Sequence, residues 1–149
     1  MKINIISVGK LSNEYKQVAL HYSKMISWKL REIELIHSKK LPEAQIKSYE
    51  AQLIYENISN NSYKIVLDIP GKQLESEKFS LIFQNMMMIG KDIDIIIGGA
   101  YGLDNSIIKN ANITLSLSKM TMPHQLVKII LLEQIYRAQT ILAKHPYHK

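Results

Sequence analysis

The run Asp92-Ile93-Asp94-Ile95-Ile96-Ile97 passes without a break into Gly98-Gly99-Ala100-Tyr101-Gly102. After its acidic start it carries apolar side chains on both faces, as expected of a strand covered by helices on two sides. The glycine cluster behind it marks a sharp exit. Gly98, Gly99 and Gly102 are half of the six glycines in the chain. Glycines at that place serve either a tight turn or a ligand that must approach bare backbone.

The rest of the chain alternates in the same sense. Residues 2–8 form a short β-branched run ending at Gly9. Ser12 can cap a helix whose stripe is Tyr15, Val18, Ala19, Tyr22, Met25 and Ile26. Residues 31–36 alternate polar and apolar, with Glu32 and Glu34 on a wet face. A second helix buries Ile46, Tyr49, Leu53 and Ile54 and ends by Asn60 and Asn61. The strand 63–67 is expected to stop at Asp68-Ile69-Pro70-Gly71-Lys72, where Pro-Gly signals a turn.

A third helix runs from Ser76 to Gly90, with Met86, Met87 and Met88 read as core filler. The Asp92 and Asp94 pair lies at the start of its strand, so both carboxylates are expected to be solvated. A short helix (105–110), a short strand (113–117) and a long helix (123–143) follow. The last helix is roughly 30 Å long at 1.5 Å per residue. Pro123 suits its first turn, and His145-Pro146 stops it.

Strands alternating with helices predict an α/β fold: one parallel-type sheet flanked by helices, in a single domain over residues 1–149. Ligands of such sheets bind beyond the carboxyl ends of the strands. Three strand ends carry unusual chemistry here: Leu67-Asp68, Gly98-Gly99 and the run 117–122.

Composition removes whole classes of function. The chain has 149 residues and no cysteine, which excludes disulfide scaffolds, thiolate zinc sites and cysteine nucleophiles. No helix pattern carries paired histidines, so no metal is expected. Neither G-x-G-x-x-G nor a P-loop is present, and Ser7, Ser116 and Ser118 lack the G-x-S-x-G setting of a hydrolase. The N-terminal apolar run is too short for a secretory signal and no stretch approaches a membrane span, so a soluble, cytoplasmic protein is expected.

The net charge of +6 is unevenly spread. Residues 1–40 hold eight basic and three acidic side chains, residues 41–118 six and nine, and residues 119–149 five and one. Two basic ends suit a polyanion; a solvated surface in a lysine-rich chain is the plainer alternative. The tail is the most suggestive part. Arg137, Lys144, His145, Tyr147, His148 and Lys149 bring cations, imidazoles and an aromatic ring to one helix end, as sites for unpaired bases do. A frayed C-terminus is the other reading.

Four motifs, in order, carry a resemblance. They are Leu67-Asp68-Ile69-Pro70-Gly71-Lys72; Ile97-Gly98-Gly99-x-x-Gly102-Leu103; Ser116-Leu117-Ser118-Lys119-Met120-Thr121-Met122-Pro123-His124; and Glu133-x-x-Tyr136-Arg137-Ala138 with His145-Pro146-Tyr147-His148-Lys149. With Ile-x-x-Val-Gly-Lys at the N-terminus, the whole chain resembles the bacterial 23S ribosomal RNA (pseudouridine) N3-methyltransferase family of the SPOUT class.

The resemblance implies a C-terminal trefoil knot, a homodimer, and S-adenosylmethionine as cofactor. It implies a cofactor pocket of Leu67, Gly98, Leu117, Ser118, Lys119, Met120, Thr121 and Met122. The implied substrate is a pseudouridine in a stem-loop of 23S rRNA, methylated at ring N3 on the assembled ribosome. Arg137, Tyr147 and His148 become the candidate catalytic residues, with Glu133 one turn from Arg137 as an orienting partner. His148 could accept the N3 proton; Arg137, always charged, would hold charge or phosphate. Ala100-Tyr101 fills a pair often polar or acidic in relatives, and Gln125 stands where some have Pro. Two other functions remain open: a SPOUT enzyme acting on another rRNA or tRNA nucleotide, and a non-catalytic ribosome-binding factor.

Overall fold

Ten elements alternate along the computed structural model, which describes residues 1–149. They are β1 (Lys2–Val8), α1 (Asn13–Met25), β2 (Lys29–Leu35), α2 (Glu43–Tyr55) and β3 (Tyr63–Lys72), then α3 (Ser76–Met88), β4 (Ile93–Ile97), α4 (Asn105–Lys109), β5 (Ile113–Leu115) and α5 (His124–Leu142). The strands form one sheet in the order β2-β1-β4-β3-β5, every pairing parallel. This is the expected α/β architecture.

Strand alternation assigns the two faces. Ile3, Ile5, Ile65, Ile93 and Ile95 point into the larger core with Phe79 and Phe83 of α3 and Leu131, Leu132 and Ile135 of α5. Ile6, Val66 and Ile96 point the other way, onto Ala51 and Ile54 of α2 and Ile107 of α4. Fully burying a side chain such as Phe83 or Ile135 contributes ~1.5–3 kcal/mol. Trp28 stacks on Phe83 with ring centroids 5.1 Å apart, closing the larger core at the edge by β2.

Several expectations need correction. Val18 is not on the buried stripe of α1: it is 43% exposed, and Ala19 alone of that helix is fully buried. Met86 is core, but Met87 and Met88 face outward at the end of α3. Asp94 is not solvated. It is completely buried, and its carboxylate accepts hydrogen bonds from Asn4 Nδ2, from the Ser59 N–H at 2.7 Å and from Ser62 Oγ at 2.6 Å. A buried charge is tolerable when hydrogen-bonded in this way, and here it ties the turn before β3 to β4. Asp92 accepts the Lys2 N–H at 2.7 Å.

The largest difference concerns β3. Pro70-Gly71 does not end it; the strand stays extended to Lys72 while β5 stops at Leu115. Leu115 pairs with Leu67 and again with Lys72, and the Ser116 N–H donates to the Lys72 carbonyl at 3.0 Å. Residues 68–72 therefore curl over the exit of β5. Gly71 permits the crossing, since a Cβ there would lie 2.5 Å from the Leu115 carbonyl carbon. The chain then returns from the sheet edge to lay α5 beside α1 and α3.

Candidate active site

The carboxyl ends of β3, β4 and β5 open into a cleft of about 500 Å³. Leu67, Ile97 and Leu115 supply its floor, and Val127 of α5 one wall. The glycine loop forms the opposite wall, and its three glycines have different reasons. A Cβ on Gly98 would meet Leu103 Cγ at 2.8 Å, and one on Gly99 would meet Val8 Cγ1 at 3.0 Å and Glu50 Oε2 at 3.1 Å. Gly102 has open space around it but adopts φ +78°, which favours glycine. The turn falls to Gly102, while Gly98 and Gly99 are closely approached by side chains of the protein itself.

The third wall is the segment after β5. Ser116 Oγ donates to the Ser118 carbonyl at 2.8 Å, and Ser118 Oγ accepts the Met120 N–H at 3.0 Å. These two local bonds fold the backbone into a ledge along the cleft. Of the eight residues expected there, Leu67, Gly98, Leu117, Ser118, Met120, Thr121 and Met122 line it. Lys119 is exposed and is not part of the lining. Met120 is 76% exposed and forms rim, not enclosure.

One residue of the lining and two close to it have contacts that the sequence did not indicate. His124 lines it with Nε2 buried, unpartnered and against Gly9, where a Cβ would come within 2.9 Å. Gly9 also has φ +91°, so a side chain is disfavoured twice. Glu50, 6% exposed, sits behind Gly99; its Oε1 meets His37 Nε2 at 2.9 Å and its Oε2 has no partner. Gln125 ties two helices together: its Oε1 accepts the Ser12 N–H at 2.6 Å and joins the starts of α1 and α5. Below it the buried Lys128 is paired with Glu34 at 3.0 Å and Glu32 at 3.1 Å. The wet face expected for β2 is thus an anchor for α5. His124 had a signal in its motif position; Glu50 had none.

At the far end of α5 the tail is packed, not frayed. Glu133 Oε1 accepts from Arg137 Nη2 at 2.6 Å, Arg137 Nε at 3.0 Å and Tyr147 Oη at 3.0 Å. The Arg137 guanidinium lies 4.8 Å from the centroid of the Tyr147 ring, which also meets Tyr136 edge-on. His148 Nε2 is 2.9 Å from Glu77 Oε1, and Nδ1 is 3.4 Å from Arg137 Nη1. Arginine can only donate, so Nδ1 accepts and the neutral ring carries its proton on Nε2, donated to Glu77. Both ring nitrogens are thereby occupied, and His148 must leave these partners before it can take a proton.

The charges fit their surroundings. The hydrogen bond to Glu133 raises the pKa of Arg137 above its ordinary value. Burial, then the bond to Glu133, raises that of Tyr147. Glu77 is held below the ordinary carboxylate value by its own backbone N–H and by His148. Arg137 lies thirteen residues beyond His124 on one helix, which is about 20 Å along its axis. Within one chain the tail cluster and the cleft are therefore apart. No group of three or more His, Cys, Asp or Glu is arranged to hold a metal ion, and no helix is long and apolar enough to cross a membrane.

Comparison with known proteins follows the same lines. Residues 1–148 match the family described as "Predicted SPOUT methyltransferase". The chain is 43% identical to the ribosomal RNA large subunit methyltransferase H of Clostridium botulinum, over the full length of both. It is 44% identical to ribosomal RNA large subunit methyltransferase H 1 of Clostridium perfringens, again over the whole of each chain. A solved structure of a probable methyltransferase from Bordetella pertussis superposes with a TM-score of 0.59, covering 92% of this chain and 93% of that one at 11% identity. At that identity the likeness speaks for the fold.

Proposed function

The chain belongs to the SPOUT methyltransferase family, and from that premise we propose that it methylates N3 of a pseudouridine in a stem-loop of 23S rRNA, on the assembled ribosome, with S-adenosylmethionine as methyl donor. The relatives named above as large-subunit rRNA methyltransferases support the substrate class. The cleft suits this cofactor. Gly98 presents bare backbone on the lining with Leu103 packed close against it, Leu67, Leu117 and Met122 can enclose an apolar ring, and the backbone of the ledge can hydrogen-bond its edge. Bound there, the cofactor supplies an electrophilic methyl group on a cationic sulfur.

The protein's own task is to hold that methyl in line with N3 and to manage the N3 proton. Alignment alone can account for roughly 7–11 kcal/mol of barrier in favourable cases. As N3–H loses its proton the base becomes anionic; Arg137 would stabilise that charge or hold a neighbouring phosphate. Tyr147 would stack on or shield the base. His148, once released from Glu77 and Arg137, would accept the proton.

The observation that carries this reading is the separation along α5. A cleft at one end and a cationic aromatic tail about 20 Å away cannot serve one methyl transfer within a single chain. A homodimer, in which the tail of one subunit completes the cleft of the other, brings them together. The threaded knot implied for this class belongs to the same reading, supported by the crossing of residues 68–72 over the exit of β5. The test is transfer of tritium from labelled cofactor to ribosomes that contain the pseudouridine. Label at N3, with a dimer in solution, is the expected result. Cofactor binding without transfer would sink the reaction, and label mapped to another nucleotide would move the target.

A further inference from the structure

Among the residues lining the cleft, Asp68 is the single carboxylate, and no lysine or arginine joins it. It stands where β3 leaves the floor, directly after Leu67. Its Oδ1 accepts the N–H of the next residue, Ile69, at 2.9 Å. That bond is local and neutral. Asp68 takes part in none of the ion pairs of the chain, which engage Glu32, Glu34, Glu50, Glu75, Glu77 and Glu133 instead. His124, the only other titratable group on the lining, makes no pair with it.

An ionised carboxylate on an otherwise apolar wall repels anions and, once water is displaced, needs a positive partner. No lysine or arginine of this lining provides one, whereas a cationic ligand brings its own. We propose that Asp68 is the subsite for the positive charge at the methionyl end of the cofactor, its sulfonium or its α-ammonium group. This rests on the S-adenosylmethionine reading above. The rest of the lining is apolar side chains, glycine backbone, the hydroxyls of Ser116, Ser118 and Thr121, and His124, so Asp68 is the one carboxylate a cationic group can meet there.

The two cations make different demands. Methyl transfer breaks the carbon–sulfur bond and returns its electron pair to sulfur, which becomes a neutral thioether. A carboxylate facing the sulfonium therefore favours cofactor over spent product; one facing the α-ammonium holds both alike.

Calorimetric titration of the full-length protein and of Asp68→Asn, with three ligands, decides it. The amide keeps the shape and the acceptor for the Ile69 N–H but removes the charge. Against S-adenosylmethionine the substitution should weaken binding about tenfold, the loss of one charge-assisted contact. Methylthioadenosine, neutral and without the amino-acid end, should bind both proteins equally. S-adenosylhomocysteine identifies the cation: unchanged affinity assigns the sulfonium, an equal loss the α-ammonium. Asp68→Glu, which restores the charge, should recover part of the affinity. S-adenosylmethionine binding within about twofold of the parent, or an equal loss for all three ligands, would overturn the subsite. A parent protein that binds none of them would overturn the cofactor reading, and this inference with it.

Discussion

The two ends of α5 are built on opposite principles. At its start, the cleft is nearly free of side-chain hydrogen bonds: three glycines, apolar walls and a ledge folded by two serines. At its end, one oxygen of Glu133 takes three donor contacts, and Tyr147 is held on both sides by Arg137 and Tyr136. The first end is pre-formed and, on the proposed reading, selects its cofactor by shape and by the single carboxylate of Asp68. The second is a charged assembly satisfied by its own partners, which a competing anion or base can engage. A small cofactor and a large polyanion call for these two kinds of site.

Substitutions should separate the ends cleanly. Arg137→Ala should have the largest effect, lowering turnover by about 10²–10³, the usual loss for one group that stabilises transition-state charge, while calorimetry shows cofactor affinity unchanged. A parallel loss of cofactor binding would mean the two ends are not independent. Gly98→Ala should do the reverse. Its methyl group would press on Leu103 Cγ and on the Gly102 backbone, weakening cofactor binding by roughly tenfold (about 1.4 kcal/mol), with the tail unaffected.

Gly99→Ala and Glu50→Ala probe what lies behind the cleft. The new methyl would sit 3.1 and 3.2 Å from the Glu50 oxygens. Unfolding measurements on the single and double variants should therefore show coupling of at least about 0.5 kcal/mol, because removing the carboxylate makes room. Strict additivity would show that the contact is slack.

The smallest effect should come from pH. The carboxyl of Glu77 is held below its ordinary 4.5 in the folded chain. A lowered folded value means the contact with His148 is intact above 4.5 and is lost as pH falls through the folded value. The His148 ring resonances should report this release in acid while probes of the cleft stay still. The sign is opposite for Tyr147, whose raised value keeps its bond to Glu133 until pH climbs past the ordinary 10.0.

Much of the cleft was legible in the sequence because its walls are local. Each is a few residues following a strand, and Gly98-Gly99 or Ser116–Ser118 can be recognised without knowing what lies opposite. Glu133 and Arg137, one helical turn apart, were legible for the same reason. What escaped depends on partners far apart in the chain. Gln125 meets Ser12 across 113 residues, and Asp94 joins Asn4 across 90. Glu50 reaches Gly99 only because α2 crosses the sheet face under the glycine loop. Lys119 was grouped with its neighbours by motif, and it is exposed and absent from the lining.

The double pairing of Leu115 has a consequence for how this chain comes into being. Residues 67–72 leave the ribosome before β5 exists, so the curl that covers Leu115 must either stay open or be entered later. That crossing sets the Leu67–Ile69 side of the cleft beside the ledge after β5. A chain that has not made the crossing lacks the second pairing of Leu115, with Lys72, that joins those two sides. If the cleft takes the cofactor as proposed, that affinity is a readout of the completed crossing.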